Sequence, residues 1–303
     1  MRRLCLVLAA VLLAGPAHAQ EATRTLSRTF DLSAEGTVTV DTYKGRIDVT
    51  GWDQNRVSVE VRISGEKQEW VDATEVAFDA SADRLEIETK YDDVDGGGLE
   101  IFGVPLFGGQ KNRPSTTYTL KVPRSGSLSI DTYSADTRVE AVEGDLTFDA
   151  YSASLEADAL RSLTADTYSS DLSARRVEGR LTVDTYSGDV NIDELDGSMA
   201  FDSYSGDADI GVMALRDDSS IDTYSGDLTL TLASGVGAVV ETGREALEAD
   251  LPLSLESIGD DRVRGTIGDG GPTVRFDSYS GTLTLRPREW ALGYVISLHR
   301  RAS

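Results

Sequence analysis

The 303-residue sequence contains one cysteine, Cys5, and two histidines, His18 and His299. One cysteine cannot close an intrachain disulfide, and cysteine-rich metal sites are excluded with it. So little histidine leaves a Ser-His-Asp triad or a histidine-bound metal almost nothing to draw on. Cationic side chains are scarce too: 29 Lys and Arg stand against 52 Asp and Glu, a formal net charge of −23. A surface of that sign repels phosphate backbones, which argues against nucleic acid and for cations or basic surfaces as partners. The same charge also serves simply to keep a β-rich protein soluble and its strands from aggregating.

Long apolar runs are nearly missing as well. One, Leu4 to Ala14, follows Arg2 and Arg3 and precedes Gly15-Pro16 and the small-residue ending Ala17-His18-Ala19. That is the three-part pattern of a cleavable secretory signal, expected over residues 1–19. The run is short for a bilayer, and no later stretch approaches the ~20 apolar residues of a membrane helix. Cys5 lies inside the signal, so the chain from Gln20 onward has no cysteine and must fold by burial alone. The expected location is exported, periplasmic or at the cell surface or beyond, with no membrane span.

What is present is a repeat. Eight segments align on an aspartate two residues before a tyrosine: Asp41-Thr42-Tyr43, Asp131-Thr132-Tyr133, Asp149-Ala150-Tyr151, Asp166-Thr167-Tyr168, Asp184-Thr185-Tyr186, Asp202-Ser203-Tyr204, Asp222-Thr223-Tyr224 and Asp277-Ser278-Tyr279. Three continue as Ser-Gly-Asp and the others as close variants, and from Asp131 to Asp222 the steps are 18, 17, 18, 18 and 20 residues. A near-constant period of this size predicts stacked rungs. Each rung alternates apolar and polar residues on both sides of the motif, as Leu181 and Val183 before it and Val190 and Ile192 after it. Strict alternation is a half-buried strand, and glycines at Ser-Gly-Asp and near Gly197 are turn signals. The expected fold is all-β, a parallel β-solenoid of the right-handed β-helix kind, right-handed because parallel crossovers almost always are. An irregular β-rich N-terminal part precedes it.

The alternation sends Leu181, Val183 and Thr185 inward and Asp184 and Tyr186 outward. The inward motif position is always small, which suits a tight corner. The glycine position tolerates Ala135, Ala153 and Ser170, so φ is expected to be negative there. The expected organisation is the signal 1–19, an N-terminal part 20–125 with the first repeat and a long Gly-rich loop at 92–114, regular rungs 126–232, and a part 233–303. This last part holds an interrupted rung, the last repeat and a cap around Trp290. Strands are expected at Val57–Ile63, Val76–Phe78, Leu85–Ile87 and Tyr118–Val122, and a hairpin-like excursion at 235–271.

Stacking brings equivalent residues ~4.8 Å apart. Tyr133, Tyr151, Tyr168, Tyr186, Tyr204 and Tyr224 then form a ladder beside Asp184, Asp202 and Asp222. Two readings stay open: a glycan-binding strip, with rings on sugar faces and carboxylates on hydroxyls, or a structural stack that shields strand edges. Stacked carboxylates repel and either splay into solvent or recruit cations. Calcium is the candidate, with Asp184, Asp189, Asp202 and Asp207 as its ligands, although the glycine-dense nonapeptide of calcium β-rolls is absent.

The phrase Tyr118-Thr119-Leu120-Lys121-Val122-Pro123, the rungs that follow it, and Gly45-Arg46-Ile47-Asp48-Val49-Thr50-Gly51-Trp52-Asp53 resemble the DUF4097 family of bacterial β-strand-repeat proteins. The resemblance covers roughly residues 25–286. It implies an adhesin-like β-solenoid outside the cytoplasm, with no catalytic or ligand residues to carry over. The expected function is therefore a non-catalytic, adhesin-like or scaffold protein of the cell envelope that binds a protein or glycan. The alternative is a carbohydrate-active enzyme that uses paired aspartates.

Overall fold

The computed structural model describes residues 21–91, 100–101, 104–105, 113–257 and 261–288. The signal expected at 1–19, most of the 92–114 loop, His299 and the closing segment around Trp290 lie outside the described residues. Within the loop, Glu100–Ile101 and Val104–Pro105 pair as short antiparallel strands.

The protein is all-β, and one hydrogen-bonded sheet joins 22 strands. The alternation read from the sequence becomes alternating burial. In Arg180–Thr185, Leu181, Val183 and Thr185 are buried and Asp184 is exposed. Successive motif strands pair in parallel and in register, Asp131 against Asp149, Asp149 against Asp166, Asp166 against Asp184, Asp184 against Asp202, and Asp202 against Asp222. The strands after the corner stack the same way, Leu155 on Leu172 and Leu172 on Val190. The core is a column of medium-sized apolar side chains, with Phe148 and Phe276 among the largest fully buried. The 20-residue step keeps the motif in register because its two extra residues fall between Leu215 and Ser220, where the partner strand runs only from Gly197 to Ala200.

At both ends the order in space departs from the order in sequence. Thr37–Trp52, the first repeat, lies between Ser127–Glu140 and an outer layer made by Arg84–Tyr91 and Ser115–Pro123. That outer layer is a degenerate rung, with Glu88 opposite Asp41 and Thr89 following it. Antiparallel strands then cover it: Thr74–Ala80 on Arg84–Tyr91, Arg56–Gly65 on Ser115–Pro123, and Ala22–Asp31 on Arg56–Gly65. The four expected N-terminal strands are all present. The short helix Gln68–Ala73, which buries Trp70 and Val71, has no counterpart in the sequence reading.

At the far end, the rung of Asp277 pairs with that of Asp222 and also, parallel, with Ala238–Gly243 and Leu247–Ala249. The chain thus lays down its outermost rung first, turns through the antiparallel strands Ser254–Ser257 and Arg262–Ile267, and returns to slide the Asp277 rung beneath it. The excursion expected at 235–271 is partly hairpin and partly end rung, and it covers the Asp277 rung over Thr273–Arg275 and Leu283–Leu285. Among the described residues, no helix is long and apolar enough to cross a membrane.

Candidate functional site

Three motif corners are closed by their own inward hydroxyl. Thr132 Oγ1 accepts from the Ala135 N–H at 2.9 Å, Ser203 Oγ from the Gly206 N–H at 2.9 Å, and Ser278 Oγ from the Gly281 N–H at 2.6 Å. Local side-chain-to-backbone bonds of this kind define tight turns, so the position selects a hydroxyl as well as small size. Thr167 Oγ1 also bonds Thr185 Oγ1 at 3.0 Å, which ties one corner to the next.

The glycine position behaves as read at the early rungs: Ala135, Ala153 and Ser170 keep negative φ, and Ala141 is the one described non-glycine residue with positive φ. Later rungs correct the view that the position is undemanding. A Cβ on Gly206 would lie 2.1 Å from the Gly188 carbonyl oxygen, so the rung-to-rung approach there admits only glycine.

The aspartate that ends the motif points back along the backbone. Asp171 Oδ1 accepts from the Asp189 N–H at 3.0 Å, Asp189 from the Asp207 N–H at 3.3 Å, Asp207 from the Asp227 N–H at 2.9 Å, and Asp227 from the Thr282 N–H at 2.7 Å. This column sews rungs together, a role invisible in the repeat itself. Asp189 and Asp207 therefore already commit a carboxylate oxygen to backbone. Among the described residues, no group of three or more His, Cys, Asp or Glu side chains is arranged to hold a metal ion, and Asp184, Asp189, Asp202 and Asp207 are not gathered into one.

The first aspartates of the motif form a different ladder, from Asp41 through Asp131, Asp149, Asp166, Asp184, Asp202 and Asp222 to Asp277, each opposite the next. Elsewhere acids are paired with arginine across rungs, as Asp145 with Arg161, Asp158 with Arg175 and Asp196 with Arg216. In this ladder, among the described residues, arginine reaches only Asp277, from Arg262 and Arg275. Partial burial, then the charges of Asp184 and Asp222, push the Asp202 carboxyl up. Asp149 is raised by burial and by Asp131 and Asp166, and Asp41 by burial, Asp131 and Glu88. Burial also opposes ionisation of Asp277, but its two arginine bonds outweigh it and hold that carboxyl low.

Beside the acids runs an unbroken stack of eight tyrosines, extending the six expected by Tyr43 and Tyr279. Neighbouring ring centroids are 4.7–4.9 Å apart and the rings are within 7° of parallel. Tyr133 to Tyr224 are 38–46% exposed, and Tyr279 at the open end 78%. At the other end the Arg113 guanidinium lies 4.4 Å from the Tyr43 ring centroid, and Tyr91 meets Tyr43 edge-on. Within the stack the ring faces cover one another, so edges and hydroxyls face solvent. The flat sugar-stacking strip anticipated from the sequence is thus closed except at Tyr279.

Between the two ladders lies an open trough of about 850 Å³, walled by Asp166, Asp184, Asp202 and Asp222 on one side and by Tyr151 to Tyr224 on the other. Its floor is the small column from Ala150 through Thr167 and Thr185 to Ser278. At the capped end Thr42 Oγ1 bonds Thr116 Oγ1 at 2.7 Å and receives Thr89 Oγ1 at 3.1 Å, while Thr89 bonds the buried Tyr118 hydroxyl. Burial, partly offset by these bonds, holds Tyr118 well above the usual phenol range.

Among solved structures, the chain is similar to a protein from Bacteroides fragilis described as a "putative adhesin", at 13% identity and a TM-score of 0.46, over 88% of this chain and 97% of that one. It is also similar to a "putative lipid binding protein" from Parabacteroides distasonis, at 12% identity and 0.41, over 86% and 96%. A "putative adhesin" from the same organism matches at 13% and 0.39, over 88% and 97%. No curated protein matches the chain. The model of the Toastrack DUF4097 family matches residues 39–286, which takes in every copy of the Asp-x-Tyr repeat, and the chain belongs to that family.

Proposed function

We propose that this protein is a non-catalytic binding scaffold of the cell envelope, built as a right-handed parallel β-solenoid. Its Asp/Tyr trough holds an extended, basic segment of a partner protein. The regular rungs 126–232 supply most of the trough, the parts 20–125 and 233–303 close its ends, and the signal-like residues 1–19 direct the chain out of the cytoplasm.

One observation carries the reading. Seven in-register carboxylates, Asp41 to Asp222, line one edge without an arginine among the described residues, whereas Asp145, Asp158 and Asp196 on other faces each have one. Like charges at strand spacing repel, and the carboxyls of Asp149 and Asp202 are raised, first by burial and then by their aspartate neighbours. A row of lysines or arginines laid along the trough relieves it and adds charge-assisted hydrogen bonds. Tyrosine edges and hydroxyls on the other wall suit a hydrogen-bonding chain better than a sugar ring, which needs an open aromatic face. Catalysis has less support: the described residues contain no histidine and no cysteine, and the trough aspartates are equivalent neighbours rather than an acid and a base set apart.

Titration of the full chain with polylysine, a neutral polysaccharide panel and polyglutamate tests this. Polylysine is expected to bind, with affinity that falls as salt rises. Binding is expected to be lost on Asp166→Asn, Asp184→Asn and Asp202→Asn together. The charge-matched control Glu66→Gln, Asp79→Asn and Asp83→Asn, in the N-terminal part and outside the trough lining, is expected to keep it. Equal weakening by both triple variants overturns the reading. Salt-independent binding of a neutral polysaccharide replaces the protein partner with a glycan, and turnover of one overturns the non-catalytic assignment.

A further inference from the structure

We propose that the tyrosine stack is a site of oxidative cross-linking, in which a one-electron oxidant of the peroxidase and hydrogen peroxide class joins neighbouring tyrosines of successive rungs through their ortho carbons. Eight phenols in one line, with each interior centroid 4.7–4.9 Å from the next, are an arrangement that ordinary surface tyrosines do not have. The rungs hold the Cα atoms in fixed register, so coupling partners are already paired. The ring edges are open to an oxidant: Tyr133 to Tyr224 are 38–46% exposed.

The geometry needs ring rotation and a tilt of the two ring axes, both side-chain motions. Tyrosine χ2 is a broad two-fold torsion, and exposed rings turn about it readily. Turning two neighbours about χ2 and splaying their ring axes by a change in χ1 brings one ortho carbon of each together along the stack axis, from a starting centroid separation of 4.7–4.8 Å. Ring contact along the column also lets an oxidised phenol exchange with its neighbour, so the two radicals needed for coupling can become adjacent.

The chemistry balances. Each of two tyrosines gives up one electron and its phenolic proton, the two ortho carbons form the new C–C bond, and the ring hydrogens at those carbons move to the oxygens to restore both phenols. The two electrons and two protons released reduce one hydrogen peroxide to two waters. The product is a covalent staple between rungs in a chain whose single cysteine, Cys5, cannot supply an intrachain disulfide.

Two Phe variants of the full chain, each lacking four stack tyrosines, test the inference after treatment with peroxidase and hydrogen peroxide. Replacing Tyr133, Tyr168, Tyr204 and Tyr279 leaves Tyr43, Tyr151, Tyr186 and Tyr224 with no tyrosine neighbour in the stack. Replacing Tyr43, Tyr133, Tyr151 and Tyr168 leaves Tyr186, Tyr204, Tyr224 and Tyr279 contiguous. Phenylalanine keeps ring stacking, so both variants are expected to fold. The contiguous variant is expected to give monomeric dityrosine, by fluorescence and by mapped peptides joining Tyr186 to Tyr204 or Tyr204 to Tyr224. The alternating variant is expected to give about tenfold less or lower, because proximity is lost. Equal yields in the two variants, or coupling found only between chains, overturn the proposal.

Discussion

Ser170 Oγ accepts the backbone N–H of Ala153, 3.0 Å away and one rung back. The rung of Ala153 is the one whose inward motif residue, Ala150, has no hydroxyl to close its own corner. The next rung supplies the missing acceptor from the position where later rungs carry glycine. Two departures from the repeat consensus are thus one compensated feature.

Ser170→Ala is expected to strand the buried Ala153 N–H and destabilise the fold by about 1–3 kcal/mol. Adding Ala150→Thr is expected to recover most of the loss by restoring a local acceptor. Denaturant midpoints of the single and double variants read this out, and a rescue that fails shows the two corners are not interchangeable.

Asp202→Asn is expected to raise the melting temperature at neutral pH. The carboxyls of Asp202 and Asp149 are raised above the ordinary aspartate value of 3.8 by burial and by their neighbours. A raised carboxyl takes up its proton earlier in the folded state than in the unfolded one. Its destabilising contribution is therefore full at neutral pH and relieved as pH falls towards 3.8. The gap between variant and parent is expected to shrink over that acidic window and with added salt. A pH-independent difference between the two melting curves contradicts this.

Below that window the sign reverses. The Arg161 guanidinium beside Asp145 and that of Arg216 beside Asp196 hold those carboxyls below 3.8. Stability from these pairs is present above the ordinary aspartate range and is lost as pH falls through the lowered values. The parent chain is accordingly expected to show a stability maximum in mild acid, measurable by melting temperature across pH.

Gly206→Ala is expected to cost about 1–3 kcal/mol, since the new Cβ meets the Gly188 carbonyl and the rungs must part. Ser205→Ala, on the exposed neighbouring position, is expected to change little. Thermal melts of the two variants separate close approach from a general intolerance of the corner.

Asp227→Ala removes the acceptor from the Thr282 N–H at 2.7 Å and is expected to loosen the Asp277 rung more than the rungs below it. Amide hydrogen exchange locates the effect: faster exchange confined to Thr282 and the adjoining strands Thr273–Ser278 and Leu283–Pro287 is the expected result. Uniform loss of protection argues that the aspartate column stabilises the whole stack instead.

The repeat by itself determined that motif strands stack in parallel, that Leu181 and Val183 face inward, and that Asp184 and Tyr186 face out. A two-residue alternation specifies faces, and a constant period specifies neighbours, so both were legible in the sequence. Only the tertiary structure decided who sits next to whom where the period breaks. Glu88 and Thr89 form a rung beside Asp41 although the long loop hides the repeat. The Asp277 rung slides beneath Ala238–Gly243 although it comes later in the chain. These are pairings across long loops, and local pattern carries no information about them. The tertiary structure also decided the meaning of the two outward columns. Identical aspartates became a backbone-sewing column on one side of the corner and an unpaired ladder on the other. The tyrosine faces closed on one another because strand spacing is too small to leave them open.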